Sequence, residues 1–256
     1  MQTGFTNQDF INFLIVMAVL GVVFGWAYAT KRMQKDFTTT TWVLIPVAVA
    51  INIAIGQLVL VLKLPVYLDS IGTVLVGVIC GPWAGALTGA LSNTVAGIIF
   101  DPGWWPWIPV AAAIGLTAGL CANASFFKTW WKVVVTGFLI ALVATIVGSP
   151  IAVLLGGISA SGSSLITAFL LQTGRGILES VLTTNFIVEP IDKISTSLLA
   201  FAILDGLSTR FLARFPHGEN ALLDQQRKTS ELVIAVVIVV ILVIVTNVFV
   251  VPLLNQ

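Results

Sequence analysis

The chain has 256 residues, of which 58% are hydrophobic and 9% charged, and its formal net charge is +1. Soluble domains carry roughly 25% charged residues, so this composition and a mean hydropathy of +1.05 exclude a water-soluble domain. A charge so close to zero gives no reason to expect a nucleic-acid partner. The sequence therefore predicts an integral protein of the lipid bilayer.

The apolar runs, taken in chain order, predict an all-α membrane protein. A membrane-spanning helix needs about 20 apolar residues, and the candidate segments are 10–30, 42–62, 71–79, 83–100, 106–122, 131–155, 165–188, 194–212 and 232–254. The first run lacks a basic leader, so we expect a retained span and not a cleaved signal. Residues 156–164 and 214–230 are polar and predict loops.

Small residues recur every fourth position along segment 83–100. Gly81, Gly85, Gly89, Asn93 and Gly97 form one slowly drifting stripe on a helix. Such a seam allows helix backbones to approach closely inside a bilayer. The Asn93 amide is costly to place at membrane depth, and groups of this kind tend to be functional.

Basic residues favour cytoplasmic loops, which predicts an orientation. Nine of the twelve Lys and Arg residues fall on one side when the spans alternate: Lys31, Arg32, Lys35, Lys128, Lys132, Arg210, Arg214, Arg227 and Lys228. Lys63, Arg175 and Lys193 are left outside or at depth. Both termini then face outward, segment 165–188 forms short helices or a re-entrant cap, and segments 64–70, 101–107 and 156–192 gather on the outer face.

Tyr67 and Asp69 lie where an extended approach turns into the helix that begins near residue 71. Asp69 could cap that helix, because a carboxylate there accepts backbone N–H bonds and favours the positive end of the dipole. It could also anchor a ligand at the outer mouth of the bundle. Both roles are compatible.

Three tryptophans, Trp104, Trp105 and Trp107, occupy four positions of a proline-rich turn. Tryptophan is ordinary at membrane interfaces. These indoles also offer π faces on which a flat or cationic ligand could stack.

Polar residues on segment 165–188 complete the candidate set. Arg175 and Glu179 are four apart and could pair, or Arg175 could reach a ligand carboxylate or phosphate. Gln172 and Asn185 are close enough in sequence to join either arrangement. The acids Glu189 and Asp192 are expected to open the following helix, whose dipole they would satisfy. Asp205 is expected near the inner end.

The sequence contains few residues or motifs that would support catalytic or redox chemistry. The single His217 lies in a polar linker, which disfavours a histidine-based metal site or haem. Cys80 and Cys121 lie in apolar runs and form no CxxC motif. No G-x-x-x-x-G-K-[ST] loop is present, so any ATP hydrolysis belongs to another chain. We expect no enzyme, no metal and no cofactor.

Several of these motifs together carry a family resemblance. Ala50 and Ala54 form an A-x-x-x-A pattern, and LDSIGT, GPWAGALTG and an Asp-Lys pair follow in order. Over roughly residues 41–216 the chain resembles the substrate-binding (S) components of energy-coupling-factor transporters, which import vitamins and related micronutrients in prokaryotes.

The resemblance implies a six-helix bundle over residues 41–216, extended by one added span in 1–40 and another, with its polar linker, in 217–256. It implies a plasma-membrane receptor that captures a small-molecule substrate outside. It also implies docking through the Ala50 and Ala54 face on a transmembrane coupling subunit, which is served by two ATPase subunits.

Two other functions stay open. A stand-alone secondary transporter would use Asp205 or Glu179 as its coupling acid, although intramembrane acids are few and no internal repeat is evident. A sensory membrane domain would need an output domain, and none follows the spans.

Overall fold

The computed structural model describes residues 33–62, 64–157 and 163–222, together with the isolated helical positions 18, 21, 22 and 25. The predicted spans 10–30 (those four positions apart) and 232–254 therefore lie outside the described residues. Within the described ranges the protein is helical and contains no strand.

Eight α-helices follow one another in this part of the chain. They are α1 (Thr39–Val61), α2 (Ile71–Cys80), α3 (Pro82–Ile99), α4 (Ile108–Asn123), α5 (Trp130–Leu154), α6 (Ser163–Gln172), α7 (Ile177–Asp205) and α8 (Thr209–Leu212). A 3₁₀ turn over Pro102–Trp107 leads into α4, and another over Gly218–Ala221 follows α8. The predicted boundaries of α1 to α5 are confirmed to within three residues.

Three helical stretches are long and apolar enough to cross a membrane: Thr39–Val61, Pro102–Asn123 and Trp130–Leu154. Large apolar side chains such as Val61, Ile146 and Leu154 point away from the bundle and are more than two-thirds exposed. This surface suits lipid and supports a membrane protein. The count of six core spans and two added ones stays a prediction.

The predicted break near residue 190 is wrong, because α7 runs without interruption from Ile177 to Asp205. At 1.5 Å per residue its 29 residues reach about 43 Å. Pro190 lies inside the helix and removes one N–H donor, but the helix continues. Glu189 and Asp192 therefore do not open a helix; they lie in its middle, where both are buried.

The glycine stripe packs α3 against its neighbours as predicted. A Cβ atom on Gly85 would lie 2.6 Å from the Gly77 Cα and 2.7 Å from the Gly115 carbonyl oxygen, and one on Gly89 would overlap the Ala111 carbonyl. The seam is two-sided, since glycines of α2 and α4 face those of α3.

Asn52 joins the first three helices. Its amide nitrogen donates to Thr73 Oγ1 at 2.8 Å and to Ser92 Oγ at 2.9 Å, and its oxygen accepts from the Gly72 N–H at 2.7 Å. The side chain is 1% exposed and has good partners on both sides of the amide. It therefore fixes α1 against α2 and α3.

Candidate functional site

A group of buried charges lies where α7 passes the start of α2. We call it the Lys193 cluster, and it comprises Tyr67, Asp69, Glu189, Asp192 and Lys193. The Lys193 ammonium lies 2.6 Å from Asp192 Oδ2, 3.8 Å from Asp69 Oδ1 and 3.9 Å from Glu189 Oε2. Charges are seldom buried without a partner, so this group of three buried charges and the partly exposed Asp69 is the strongest functional feature of the described bundle.

Asp192 connects α7 to the loop before α2. Its Oδ1 accepts the backbone N–H groups of Tyr67 and Leu68 at 2.8 and 2.7 Å, while Oδ2 accepts from Lys193. Leu68 has a φ of 49°, a left-handed conformation that costs on the order of 1–3 kcal/mol in a residue other than glycine. The Asp192 carboxylate holds this strained turn in place.

Tyr67 connects the cluster to α6. Its phenol oxygen lies 2.7 Å from Ser163 Oγ, and its ring lies under the Lys193 ammonium, with the centroid 5.3 Å from Nζ. Burial raises the pKa of the Tyr67 phenol well above its ordinary value, and the nearby Glu189 carboxylate adds to the shift. The phenol is therefore neutral at physiological pH.

Glu189 has a buried carboxylate oxygen without a hydrogen bond. Glu189 is 8% exposed, and no described residue forms a hydrogen bond with its Oε2 atom. The Lys193 ammonium at 3.9 Å is too far away to donate one. A buried acceptor in this state carries a desolvation cost that a ligand donor would remove.

Asp69 does not cap α2. Ser70 occupies the N-cap position, and Asp69 Oδ1 instead accepts from Ser70 Oγ at 2.8 Å and faces Lys193. The capping interpretation is therefore wrong. Its Cβ lies 3.1 Å from the place where a Cβ on Gly56 would stand, and Trp104 Cη2 lies 3.6 Å from that point, so both residues border Gly56 and these two atoms are at most 6.7 Å apart.

The three tryptophans separate in the structure. Trp105 donates from Nε1 to the Thr94 carbonyl at 3.3 Å and covers Gly97. Trp107 packs against the main core and lies beside Gly148 of α5. Trp104 borders the same point beside Gly56 as Asp69 of the Lys193 cluster does. A stacking role in ligand binding stays a prediction for all three and is best placed for Trp104.

The remaining predicted residues lie apart from these contacts. Arg175 pairs with Glu179 at 3.3 Å, with side chains 46% and 61% exposed, and Gln172 is exposed at the end of α6. Asn185 donates to Ser149 Oγ at 3.0 Å. Asn93 is buried beside Ser92 on α3. No hydrogen bond or ion pair in the described part of the chain joins these five residues to the Lys193 cluster, and their part in binding stays a prediction.

An open apolar groove of about 600 Å³ lies between α5 and α7. Its walls include the exposed side chains of Ile146, Leu154, Leu178 and Phe186, with Ser149 among the few polar residues. No member of the Lys193 cluster lines it. The groove has the composition of a lipid-facing surface and supplies no polar group beyond hydroxyls.

Glu189, Asp192 and Lys193 were missed as site residues because the sequence places them beside Pro190, where a helix start is the ordinary interpretation. A usable signal was present: three charges within five residues, flanked by apolar segments on both sides. Intramembrane charges of this kind mark functional sites. Ser163 gave no signal, since its role depends on Tyr67.

The cluster contains no evident metal site. Among the described residues no group of three or more His, Cys, Asp and Glu side chains is arranged to hold a metal ion. At the centre of the three carboxylates stands the Lys193 ammonium.

Ala50 and Ala54 lie on the opposite side of α1 from Asn52. Both are exposed, and they share that side with Val43, Val47, Leu58 and Val61. Two small residues one turn apart leave a shallow depression into which another helix can pack.

Comparison with known proteins leaves the family open. No family model, no curated protein and no solved structure matches the chain.

Proposed function

We propose that the chain is the substrate-capture subunit of an ATP-driven importer for a vitamin-like or related small micronutrient. The observation that carries the proposal is the Lys193 cluster, a desolvated charge group with an unsatisfied acceptor at one end of an apolar helical bundle. Structural ion pairs are usually completed by hydrogen bonds on every oxygen. An incomplete one is better suited to a ligand.

The distribution of basic residues supports capture from outside. With Lys35, Lys128 and Lys132 on the cytoplasmic side, the start of α2 and the middle of α7 fall toward the outer face, in a prokaryotic plasma membrane. The proposal includes six core spans, one added span at each end and both termini outside.

The exposed Ala50 and Ala54 side of α1 supports docking on a coupling subunit, with two ATPase subunits beneath. It lies on the other side of α1 from Asn52, so it is free for a partner while the bundle stays intact. The chain has no G-x-x-x-x-G-K-[ST] loop for ATP, so the energy for uptake must reach it through contact with such a partner.

The test replaces Ala50 and Ala54 together by Trp in the full chain, co-reconstituted with the coupling and ATPase subunits of the same genome. A panel of radiolabelled vitamins and nucleosides first identifies the transported compound. The double variant should bind it with unchanged affinity but lose ATP-dependent uptake, because the bulky side chains fill the depression. Ile146→Trp, on the exposed side of α5, is the matched control and should keep both.

A stand-alone carrier is the second candidate, favoured by the buried carboxylates on α7, since membrane-embedded acids serve as proton relays. Glu179 is exposed, so Glu189 now joins Asp205 as a candidate coupling acid. If the isolated chain in proteoliposomes accumulates substrate under a proton or sodium gradient alone, the capture proposal is wrong.

A further inference from the structure

Resting on the proposed capture function, we propose that the ligand of the Lys193 cluster carries a positively charged nitrogen whose N–H group donates to Glu189. The class is a protonated amine or amidinium, attached to a small apolar or aromatic body. Charge, unused acceptor capacity and neighbouring aromatic rings each point to it.

The charge balance of the cluster is negative. Asp69, Glu189 and Asp192 contribute three carboxylates and Lys193 contributes one ammonium, so the described groups leave two negative charges in excess when all are ionised. An isolated ion is costly to hold away from water. A cationic ligand would reduce the excess, and an anionic one would increase it.

The hydrogen-bonding capacity that the cluster leaves unused is also of one kind, that of an acceptor. Asp192 is used on both oxygens, and the Lys193 ammonium is enclosed by three carboxylates. The Tyr67 phenol is bonded to Ser163. What remains is an acceptor, Glu189 Oε2, with no described partner. A ligand must therefore bring donors to this point.

One aromatic ring contacts the charges, and a second lies nearby. The Lys193 ammonium lies over the Tyr67 ring, 5.3 Å from its centroid, and Trp104 and Asp69 both border Gly56. Cations bind over such rings, most strongly when desolvated. The same rings would accommodate the apolar body of the ligand.

Three probes of nearly one shape separate the charge classes: benzamidine as a cation, benzamide as a neutral molecule and benzoate as an anion. Binding of each to the purified full chain in detergent is measured by calorimetry and by the shift of the thermal midpoint. Benzamidinium should bind and raise the midpoint, and the other two should not. Glu189→Gln should weaken benzamidinium binding about tenfold or more, the usual effect of losing a charged hydrogen-bond partner.

Glu219→Gln is the matched control, because it neutralises an exposed glutamate of the 3₁₀ turn that follows α8, outside the candidate binding residues; it should leave binding unchanged. Asp69→Asn, at a more exposed carboxylate, should weaken binding by a smaller factor and serves if Glu189→Gln gives too little protein. Preference for benzamide or benzoate, absence of binding by all three, or binding indifferent to both cluster variants would overturn the inference.

The uptake assay separates this inference from the proposed function. ATP-dependent uptake that Glu189→Gln leaves unchanged would reject the cationic ligand and leave the capture function standing. Benzamidinium binding that depends on Glu189, in a chain that supports no ATP-dependent uptake, would reject the capture function and leave the site standing.

Discussion

The two ends of α2 each hold buried carboxylates, and they are built differently. At the Asp36 end, Asp36 Oδ2 accepts the Trp83 N–H at 2.9 Å and Oδ1 lies 3.0 Å from His217 Nε2. The backbone of His217 in turn donates to the Ile79 carbonyl at 2.9 Å. At the Lys193 end three carboxylates surround one ammonium, and one oxygen of Glu189 has no hydrogen bond.

At the Asp36 end, the carboxylate connects three segments of the chain and both of its oxygens have hydrogen-bond partners. Asp36 acts as a remote cap on the second residue of α3, where a carboxylate is favoured by the helix dipole. Gly81, with a φ of 105°, allows the carboxylate to reach the α2–α3 break, because a Cβ there would overlap it. The segment that follows α8 is thereby fixed to the bundle, and no acceptor of Asp36 is left over.

The difference shows how a functional charge is distinguished from a structural one. Both groups are buried, so burial alone decides nothing. The number of hydrogen bonds to the carboxylate oxygens does distinguish them. Both oxygens of Asp36 have a donor, whereas the Lys193 cluster has more acceptors than donors. The predictions below test whether the two ends respond to substitution in the way this contrast requires.

Lys193→Met should have the largest effect. It leaves the buried carboxylates of Glu189 and Asp192 and the partly exposed Asp69 without their cation. Removing one partner of a buried ion pair costs about 3–5 kcal/mol. Folded yield after size exclusion and the thermal midpoint should both fall sharply. Arg175→Met, in an exposed pair of the same helix, should cost about 0.5 kcal/mol or less.

Adding Asp192→Asn to Lys193→Met should restore part of the stability, because one charge disappears while Oδ1 still accepts from Tyr67 and Leu68. A double variant no more stable than the single one would mean that charge imbalance is not what destabilises Lys193→Met.

Gly89→Ala should have the next largest effect. It should lower the thermal stability of the whole bundle, the Asp36 end and the Lys193 end of α2 included. The new Cβ would overlap the Ala111 carbonyl, so α3 and α4 must move apart; forcing extra atoms into a packed interior costs about 1–3 kcal/mol. Gly176→Ala is the matched control, since nothing lies within 4 Å of the added atom. Equal thermal midpoints for the two variants would show that the glycine seam carries no packing role.

Much of the fold was predictable because its signals are local. The α2–α3 break follows from Gly81 and Pro82, and the tight α3 packing follows from glycines spaced by four. The continuity of α7 was not, because Pro190 between two acids has the pattern of a helix start. The contacts made by the middle of this helix are distant in sequence, since Asp192 accepts the backbone N–H groups of Tyr67 and Leu68.

The candidate site was predictable only in part for the same reason. Tyr67 and Asp69 could be selected from their position before a helix, and both belong to the Lys193 cluster. Their partners on α7 lie more than 120 residues later. Arg175 and Glu179, which the i,i+4 spacing favoured, form an exposed pair. Local spacing predicts that pair but cannot show which charges become buried.

The two variants with the smallest expected effects on stability compare the two ends of α2 most directly. Asp36→Asn and Glu189→Gln each neutralise one buried carboxylate while nearly preserving its shape. Asp36→Asn should lower the free energy of unfolding by about 1–2 kcal/mol, because a charged acceptor that faces a helix N-terminus and His217 becomes neutral. Probe binding at the other end of α2 should be unchanged.

Glu189→Gln should have the opposite pattern to Asp36→Asn: stability should be kept or raised, and probe binding should be weakened. It reduces the excess negative charge of the Lys193 cluster, so the unliganded protein should be as stable as the wild type or more stable, as when an imperfectly paired buried charge is replaced. Benzamidinium binding should fall. Thermal midpoints of both variants in one detergent, with and without benzamidine, measure the contrast. If Glu189→Gln destabilises the unliganded chain as much as Asp36→Asn does, the Glu189 carboxylate belongs to a structural ion network like that of Asp36, and the difference between the two ends of α2 disappears.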